Sequence, residues 1–285
     1  MLRIDNYIMY RQFIKNVGFK YVLNNRSLII QIITMTKKNI KLTKSQIEVF
    51  IKATSKYLDA IQNLDDLIEL FGSMDFAYSE QTSYSKPFYK FIHKETYENF
   101  ISKGRFQLGT LQYYREIERQ ESRDYKEGFS NLIINSGDRQ ILTSVISGFD
   151  KYILCGTHDS ENVEYMSAKY GGYIMVIKNI KSFAEKVKTA IGAESWYVNE
   201  INYTDYKAYS VDASISDING VSPDLSDELF NILYEISEKP SVYAKPTRFK
   251  DEKELRLSFT MPKDVKTRLN FENIGLLTEV EIIKG

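Results

Sequence analysis

Cysteine and histidine are almost absent from this chain of 285 residues. It has one cysteine, Cys155, and two histidines, His93 and His158. A single cysteine excludes an intramolecular disulfide framework and a cysteine-based zinc cluster, and two histidines are too few for a histidine-rich metal site. We therefore expect no metal centre of these kinds and a fold that forms in a reducing compartment.

Surplus charge and long apolar runs are also missing. Lysine plus arginine and aspartate plus glutamate each number 38, so the formal net charge is +0 at pH 7. A balanced chain has no global basic field of the kind that attracts nucleic acids. The apolar stretch at residues 27–35 is interrupted by Gln31 and falls short of the roughly 20 residues that span a bilayer. We expect a cytoplasmic protein with no membrane segment and no signal peptide.

Residues 43–71 carry the clearest helical pattern. Its apolar residues recur at three- and four-residue spacing, namely Ile47, Phe50, Ile51, Leu58, Ile61, Leu64, Ile68 and Phe71. Thr43 is a candidate cap at its start, and Gly72 is a candidate stop. Residues 4–23 are predicted to be helical as well, whereas residues 28–36 fit either a strand or a buried helix. The sequence predicts a helical N-terminal segment over residues 1–75.

After a polar connection at residues 73–87, short strands and short helices follow one another. The predicted strands are FYKFI, RFQLGTLQYY, KYILCGTH, YIMVIK, WYVNEINY, ELRLSFTM and LLTEVEII, and the predicted helices are KETYENFISK, SENVEYMSAKY, residues 183–191 and residues 226–237. This succession predicts an α+β domain over residues 86–285. Its core would be a mixed, mostly antiparallel sheet with flanking short helices.

The segment RFKDEKELRLSF, residues 248–259, alternates charged and apolar side chains. Glu252, Glu254 and Arg256 lie two residues apart and would share one face of a strand. One interpretation is a half-buried edge strand with the charges outward and the leucines inward. The other is a site in which a glutamate bonds a ribose hydroxyl and stabilises positive charge at the anomeric carbon, while Arg256 or Arg248 holds phosphate.

The polar stretch at residues 113–128 offers a second set of candidates. Guanidinium groups suit pyrophosphate and tyrosine rings suit a base, and the candidates are Arg115, Arg119, Arg123, Tyr113 and Tyr114. The same charges at three- and four-residue spacing also fit an exposed helical turn. His93, after the first strand of this domain, is a candidate donor to a ligand or a structural residue. Cys155 is predicted to be a core residue, with a nucleophilic Cys155–His158 pair as the alternative.

Five segments of the chain resemble an uncharacterised bacterial domain family that is often associated with phage defence. They are FYKFI, RDYKEG, YILCGTHDSENVEYMSAKYGGYIMVIK, INYTDY and KPTRFKDEKELRLSF, the last carrying the family's aromatic residue followed by ExExR. The resemblance covers residues 88–259. It matches the family's opening Tyr-Lys strand at Tyr89 and Lys90, and its acidic turn at Asp124 and Glu127.

A more distant resemblance is to ADP-ribosyltransferases. Their aromatic-x-x-E/Q-x-E turn has the spacing of Phe249, Glu252 and Glu254. The resemblance implies an ADP-ribosyltransferase-like fold with NAD as the substrate and Glu254, with Glu252, as the catalytic residues. The residues expected to bind NAD are Lys90, His93, Tyr113, Tyr114, Arg115, Arg123 and Arg256. Lys90 or His93 would replace the family's first-strand arginine or histidine, and a Ser-Thr-Ser strand is not evident.

The leading hypothesis is an NAD-dependent ADP-ribosyltransferase or NAD glycohydrolase, acting as a toxin or phage-defence effector on a protein or nucleic-acid acceptor. A second hypothesis is a non-enzymatic sensor whose 43–71 helix docks a partner protein or a second copy. A third is a nuclease that binds a divalent metal through Asp124, Glu127, Glu252 and Glu254. No Walker-type glycine loop, dinucleotide fingerprint or kinase signature is present, so phosphate-loop chemistry is not expected.

Overall fold

The computed structural model describes residues 19–23, 26–33, 86–116, 124, 127–136, 139–204, 207–212, 227–265 and 268–284. The chain forms two compact units built from separated segments. The first comprises Met1–Ala77, Gly128–Gly148 and Asp205–Val242, and the second comprises Tyr78–Glu127, Phe149–Thr204 and Tyr243–Gly285. The division predicted from the sequence, residues 1–75 and 86–285, consists of two continuous segments, whereas each of these units combines three separated ones.

The first unit contains a five-stranded sheet. In spatial order its strands are β1 (Phe19–Leu23), β2 (Arg26–Ile33), β6 (Arg139–Ile146), β5 (Phe129–Ser136) and β11 (Ala208–Asp212). The pairings are antiparallel except that of β11 with β5, which is parallel. Helix α5 (Asp227–Val242) lies against β5 and β6. The Ser130 and Ser241 hydroxyl oxygens lie 3.2 Å apart where β5 meets this helix.

This sheet corrects part of the N-terminal prediction. The helix predicted over residues 4–23 is wrong at Phe19–Leu23, because this segment pairs along its whole length with β2 in a hairpin. The strand alternative for residues 28–36 is confirmed as far as Ile33. The predicted helix at residues 43–71 lies outside the described residues. The sequence patterns did not predict the hairpin of β5 and β6.

The second unit contains an eight-stranded sheet in which every pairing is antiparallel. Its strands are β3 (Phe88–Ile92), β4 (Arg105–Thr110), β7 (Lys151–Thr157), β8 (Tyr173–Ile177), β9 (Ser195–Glu200), β13 (Glu254–Thr260), β14 (Leu269–Glu272) and β15 (Val280–Lys284). Two short strands, β10 (Asn202–Tyr203) and β12 (Ala244–Lys245), pair in parallel beside it.

The eight-stranded sheet divides into branches on β7. One edge of β7 pairs with β13 over its whole length, and β13 pairs in turn with β9. The other edge pairs with β4 at Tyr152 and Ile153, and with β3 at Thr157. From β4 the sheet continues to β14, and from β3 it continues to β8 and β15. Residues 154–156 of β7 therefore lie where β3 and β4 separate.

Short helices and 3₁₀ turns connect these strands. The helices are α1 (Lys94–Asn99), α2 (Leu111–Glu116), α3 (Val163–Tyr170) and α4 (Ile180–Ile191), and the 3₁₀ turns are Ile101–Lys103, Ser160–Asn162, Thr247–Glu252 and Ile274–Thr278. The predicted α+β class with a mostly antiparallel sheet core is confirmed. Within the part of the chain that the structure describes, no helix has the length and apolar character needed to cross a bilayer.

Two predicted strands are wrong in part. The strand predicted through RFQLGTLQYY ends at Thr110, and α2 begins at Leu111. The Thr110 hydroxyl oxygen accepts a hydrogen bond from the Tyr113 amide at 3.0 Å, so it caps the first turn of this helix. The strand predicted through LLTEVEII begins only at Val280, because the residues before it form a 3₁₀ turn.

The apolar core of the second unit lies between α4 and one face of the sheet. Ile180, Phe183, Ala184 and Val187 line the buried side of α4 at helical spacing. They belong to the same buried cluster as Leu255, Leu257 and Phe259, the alternate residues of β13. Burying a leucine or phenylalanine side chain stabilises the fold by about 1.5–3 kcal/mol. This packing fixes β13 and directs its other residues to the opposite face of the sheet.

Candidate active site

Strand β13 carries charged side chains into the interior of the second unit. Glu254 and Arg256 alternate with the core leucines, and they are only 4% and 1% exposed. The interpretation as an edge strand with outward charges is therefore wrong. Strands pair with both edges of β13, and the charges are satisfied by buried partners rather than by water.

Arg256 bridges two carboxylates. Its Nη1 and Nη2 atoms donate to the two carboxylate oxygens of Glu127, each at 3.0 Å, and its Nε donates to Oε1 of Glu254 at 2.8 Å. The paired contact with Glu127 is the bidentate geometry that fixes a guanidinium most firmly. Arg256 is thus oriented by Glu127 and in turn holds Glu254.

Lys245 continues this arrangement from β12. Its Nζ donates to Oε2 of Glu254 at 2.7 Å and to Oε2 of Glu252 at 2.8 Å. Oε1 of Glu252 accepts from Lys169 Nζ at 3.0 Å and from the Tyr170 hydroxyl. The result is a row of alternating charges, which we call the ion chain: Glu127, Arg256, Glu254, Lys245, Glu252 and Lys169.

The ion chain keeps its central members charged. Burial alone would raise the pKa of Glu254, but Arg256 and Lys245 outweigh it and hold that pKa well below its ordinary value. Burial would likewise lower the pKa of Lys245, and Glu254 and Glu252 reverse this and raise it. The pKa of Arg256 is raised against the effect of burial by Glu127 and Glu254. Glu254 is therefore an anion at neutral pH despite its burial.

Glu252 and Glu254 differ in how fully their oxygens are bonded. Glu252 accepts from Lys169, Tyr170 and Lys245, whereas Glu254 accepts from Lys245 and Arg256. A carboxylate offers about four acceptor positions. Glu254 thus retains more capacity to accept a hydrogen bond from a ligand hydroxyl, and Glu252 mainly holds Lys245.

A cavity of about 900 Å³ opens beside the ion chain. Cys155 and Gly156 line it at the point where β3 and β4 separate on β7. Gly156 lies so close to β3 that an added Cβ would stand 2.4 Å from the Phe88 ring and 2.5 Å from the Tyr89 carbonyl oxygen. The structure brings seven of the predicted site residues to this cavity: Lys90, His93, Tyr113, Tyr114, Glu252, Glu254 and Arg256.

The two tyrosines form an aromatic wall of the cavity. Their rings meet edge to face, with centroids 5.3 Å apart. Tyr114 packs over Gly109, where an added Cβ would lie 2.8 Å from its ring. Burial, followed by contact with Cys155, raises the pKa of the Tyr114 hydroxyl. The Arg268 guanidinium lies 4.8 Å from the centroid of the Tyr113 ring, so a cation already covers that ring.

Some charged side chains that line the cavity are buried, and others are not. The buried charged side chains that line it are three carboxylates, Glu127, Glu252 and Glu254, and two cations, Lys245 and Arg256. These five belong to the ion chain, and Lys169, which is 22% exposed, supplies the third cation that balances its three carboxylates. Lys90 and Arg268 also line the cavity, and Arg268 donates to Oε1 of Gln107 at 3.3 Å. The cavity therefore combines a buried chain of alternating charges with two further cations on its wall, Lys90 and Arg268.

Other predicted residues are not placed at this cavity. Arg115 belongs to α2, but its side chain lies outside the described residues, as do Arg119 and Arg123. Arg248 is exposed and covers the Phe249 ring at 4.7 Å, so it does not line the site. Arg256 was predicted to hold phosphate. In the structure its guanidinium donates to Glu127 and Glu254 instead.

Three of the four carboxylates proposed as metal ligands bind cations of the protein itself. Among the described residues, no group of three or more His, Cys, Asp and Glu side chains is arranged to hold a metal ion. Glu127, Glu252 and Glu254 instead pair with arginine and lysine. This geometry gives the nuclease hypothesis no support. Burial, together with Glu254, raises the pKa of Cys155 to about 12, so its thiol is protonated at neutral pH and unsuited to act as a nucleophile.

Sequence reasoning missed several residues of the site. Lys245, Tyr170 and Arg268 line the cavity without having been singled out, and Glu127 had been named only as a turn residue or a metal ligand. Lys245 lies within the KPTRFKDEKELRLSF segment, which was the one available signal. Comparison of the chain with protein-family models, curated proteins and solved structures finds no match.

Proposed function

We propose that the second unit is an NAD-consuming enzyme of the ADP-ribosyltransferase or NAD glycohydrolase type, with an ADP-ribosyltransferase-like fold. The observation that carries the proposal is the state of Glu254. It is an ionised carboxylate with acceptor capacity left, on the wall of a cavity that two tyrosines and Lys90 also line. A macromolecular acceptor and a role as a toxin or phage-defence effector belong to the same proposal.

The distribution of charge in the cavity suits a ligand with a cationic and an anionic end. NAD has a positively charged nicotinamide ring and a negatively charged pyrophosphate. The ionised carboxylate of Glu254 and the Tyr114 ring, which line the same cavity, favour the cationic ring. Lys90 and Arg268, which line the same cavity, are assigned to the pyrophosphate.

In the proposed reaction the bond between nicotinamide and C1′ of the ribose breaks. Nicotinamide leaves with the bonding electron pair, and positive charge develops at C1′. Glu254 accepts a hydrogen bond from a ribose hydroxyl and stabilises that charge electrostatically. Water or a nucleophile of the acceptor then bonds to C1′ and loses a proton. Glu252 acts through Lys245, which it holds against Glu254.

Nicotinamide release from NAD by the purified chain tests the proposal, with and without bacterial lysate as a source of acceptors. Glu254→Gln should lower the release rate by about a hundredfold or more and change NAD binding little, since the lost interaction acts on the transition state. Glu272→Gln is the matched control, because Glu272 is 68% exposed and pairs with Arg105 away from the cavity. It should release nicotinamide at the wild-type rate.

Two other results would redirect the assignment. Saturable NAD binding without release in any protein would favour the non-enzymatic sensor. If the wild-type protein shows neither NAD binding nor nicotinamide release, and its circular dichroism spectrum shows that it is folded, NAD is not the ligand.

A further inference from the structure

Glu127 occupies the opposite end of the ion chain from the more exposed Lys169. Its two oxygens both accept from Arg256 at 3.0 Å, and its side chain is 1% exposed. The paired contact fixes the plane of the guanidinium and directs Nε towards Glu254. Glu127 therefore determines how Arg256 meets the glutamate to which catalysis is assigned.

Glu127 also balances the charge of the ion chain. The three carboxylates and three cations of the ion chain sum to zero, and without Glu127 they would sum to one positive charge. Without Glu127 the positive charge of Arg256, 2.8 Å from Glu254, would be less fully balanced. In a buried setting such a cation opposes any positive charge that develops on a ligand nearby.

We infer that Glu127 is a positioning residue of this site, which orients Arg256 and cancels its charge so that Glu254 remains the negative pole of the cavity. The catalytic consequence rests on the proposed NAD chemistry. The electrostatic consequence does not, because it is a property of the folded chain without any ligand.

Cys155 offers a direct readout of the electrostatic part. It is the only cysteine of the chain, it lines the cavity, and it lies opposite Arg256 in the register of β7 and β13. After burial, the nearby charges influence its pKa, with Glu254 raising it and Arg256 lowering it. Because its thiol is protonated at neutral pH, Cys155 reacts slowly, and its alkylation rate at a fixed alkaline pH follows the small thiolate fraction and so reports the potential at the cavity wall.

The experiment compares iodoacetamide alkylation of Cys155 in Glu127→Gln, Glu127→Asp and the double variant Glu127→Gln with Arg256→Gln. Glu127→Gln removes one negative charge and should speed alkylation by about threefold or more. Glu127→Asp keeps the charge, and the double variant removes the pair together. Both should stay within about twofold of the wild-type rate.

Turnover gives the second readout. If NAD is the substrate, Glu127→Gln should lower kcat with little change in KM, and the shorter but charged Glu127→Asp should keep the larger share of kcat. A merely structural role predicts the reverse order, because glutamine matches the length of the native side chain and aspartate does not.

Equal alkylation rates in Glu127→Gln and Glu127→Asp would overturn the electrostatic part, and a more active glutamine variant would overturn the positioning role. Absence of NAD turnover in the wild type would count against the proposed function alone, since the alkylation comparison still decides the electrostatics. Should Glu127→Gln not fold, Arg256→Gln should slow alkylation and the double variant should restore it. Equal rates in those two variants would overturn the inference.

Discussion

The two faces of β13 are built on opposite principles. On one face Leu255, Leu257 and Phe259 join an apolar cluster with the buried side of α4. On the other face Glu254 and Arg256 join the ion chain, at comparable burial. Apolar side chains gain stability simply by leaving water, whereas charges leaving water need well-placed partners to offset their lost hydration.

This difference indicates which face is there for stability. A buried ion network is often no more stabilising than apolar side chains of the same volume, and it becomes costly when one member is removed. Its presence beside a cavity, with the pKa of Glu254 shifted well below its ordinary value, is typical of functional sites. The apolar face thus supports the fold, and the ionic face is the candidate for chemistry.

The largest effect is expected on the ionic face. Arg256→Met removes the cation shared by Glu127 and Glu254, and it should lower the free energy of unfolding by about 4 kcal/mol at pH 7. Without Arg256, Glu254 loses the largest of the effects that lower its pKa and keeps only Lys245, so its pKa should rise and the loss should be smaller at pH 5. Urea unfolding at both pH values measures it. An equal loss at both pH values would indicate a packing defect instead.

The next effect belongs to the apolar face. Leu257→Ala leaves a cavity among fully buried neighbours and should lower the free energy of unfolding by about 3 kcal/mol. No titrating group is involved, so the loss should be the same at pH 5 and pH 7. If the loss of unfolding free energy depended on pH, the packing of the apolar face would be coupled to the ionisation of the other face.

A smaller effect is expected from Glu254, whose contribution to stability should depend on pH, unlike that of the apolar face. The pKa of Glu254 is held below its ordinary value of 4.5, so its ionic contribution is complete above about pH 5 and declines as the pH falls further. Glu254→Gln lacks this contribution and should be less stable than wild type by about 2 kcal/mol at pH 7. The difference should narrow steadily below pH 4.5. Urea titrations between pH 3 and pH 7 test this, and a constant difference would contradict it.

Sequence patterns predicted most strands of the second unit because β-branched and aromatic runs, bounded by turn residues, are local signals. They failed where a neighbour outweighed the pattern. The Thr110 cap turns the tyrosine-rich run into helix α2, and the pairing of β1 with β2 makes residues 19–23 a strand. Neither outcome can be read from the composition of the segment alone.

For the candidate site, sequence reasoning found Glu252, Glu254 and Arg256 because spacing and resemblance both lie within one short segment. It could not distinguish an edge strand from a central one, since alternation is the same in both and only the pairing of the two edges decides. Nor could it place Glu127, whose contact with Arg256 joins residues 129 positions apart. Charge pairing at such a distance leaves no periodic signal in a single sequence.

The smallest effect is expected from an ion pair that the chain leaves in water. Arg105 donates to Glu272 at 2.6 Å, the same pairing of residue types as Arg256 with Glu127, but both side chains are more than half exposed. Arg105→Met should change the free energy of unfolding by less than about 1 kcal/mol, because water restores the hydration of Glu272. Urea unfolding in low and high salt measures it, since salt screens an exposed pair. A loss as large as that of Arg256→Met would show that burial is not what makes the ion chain sensitive.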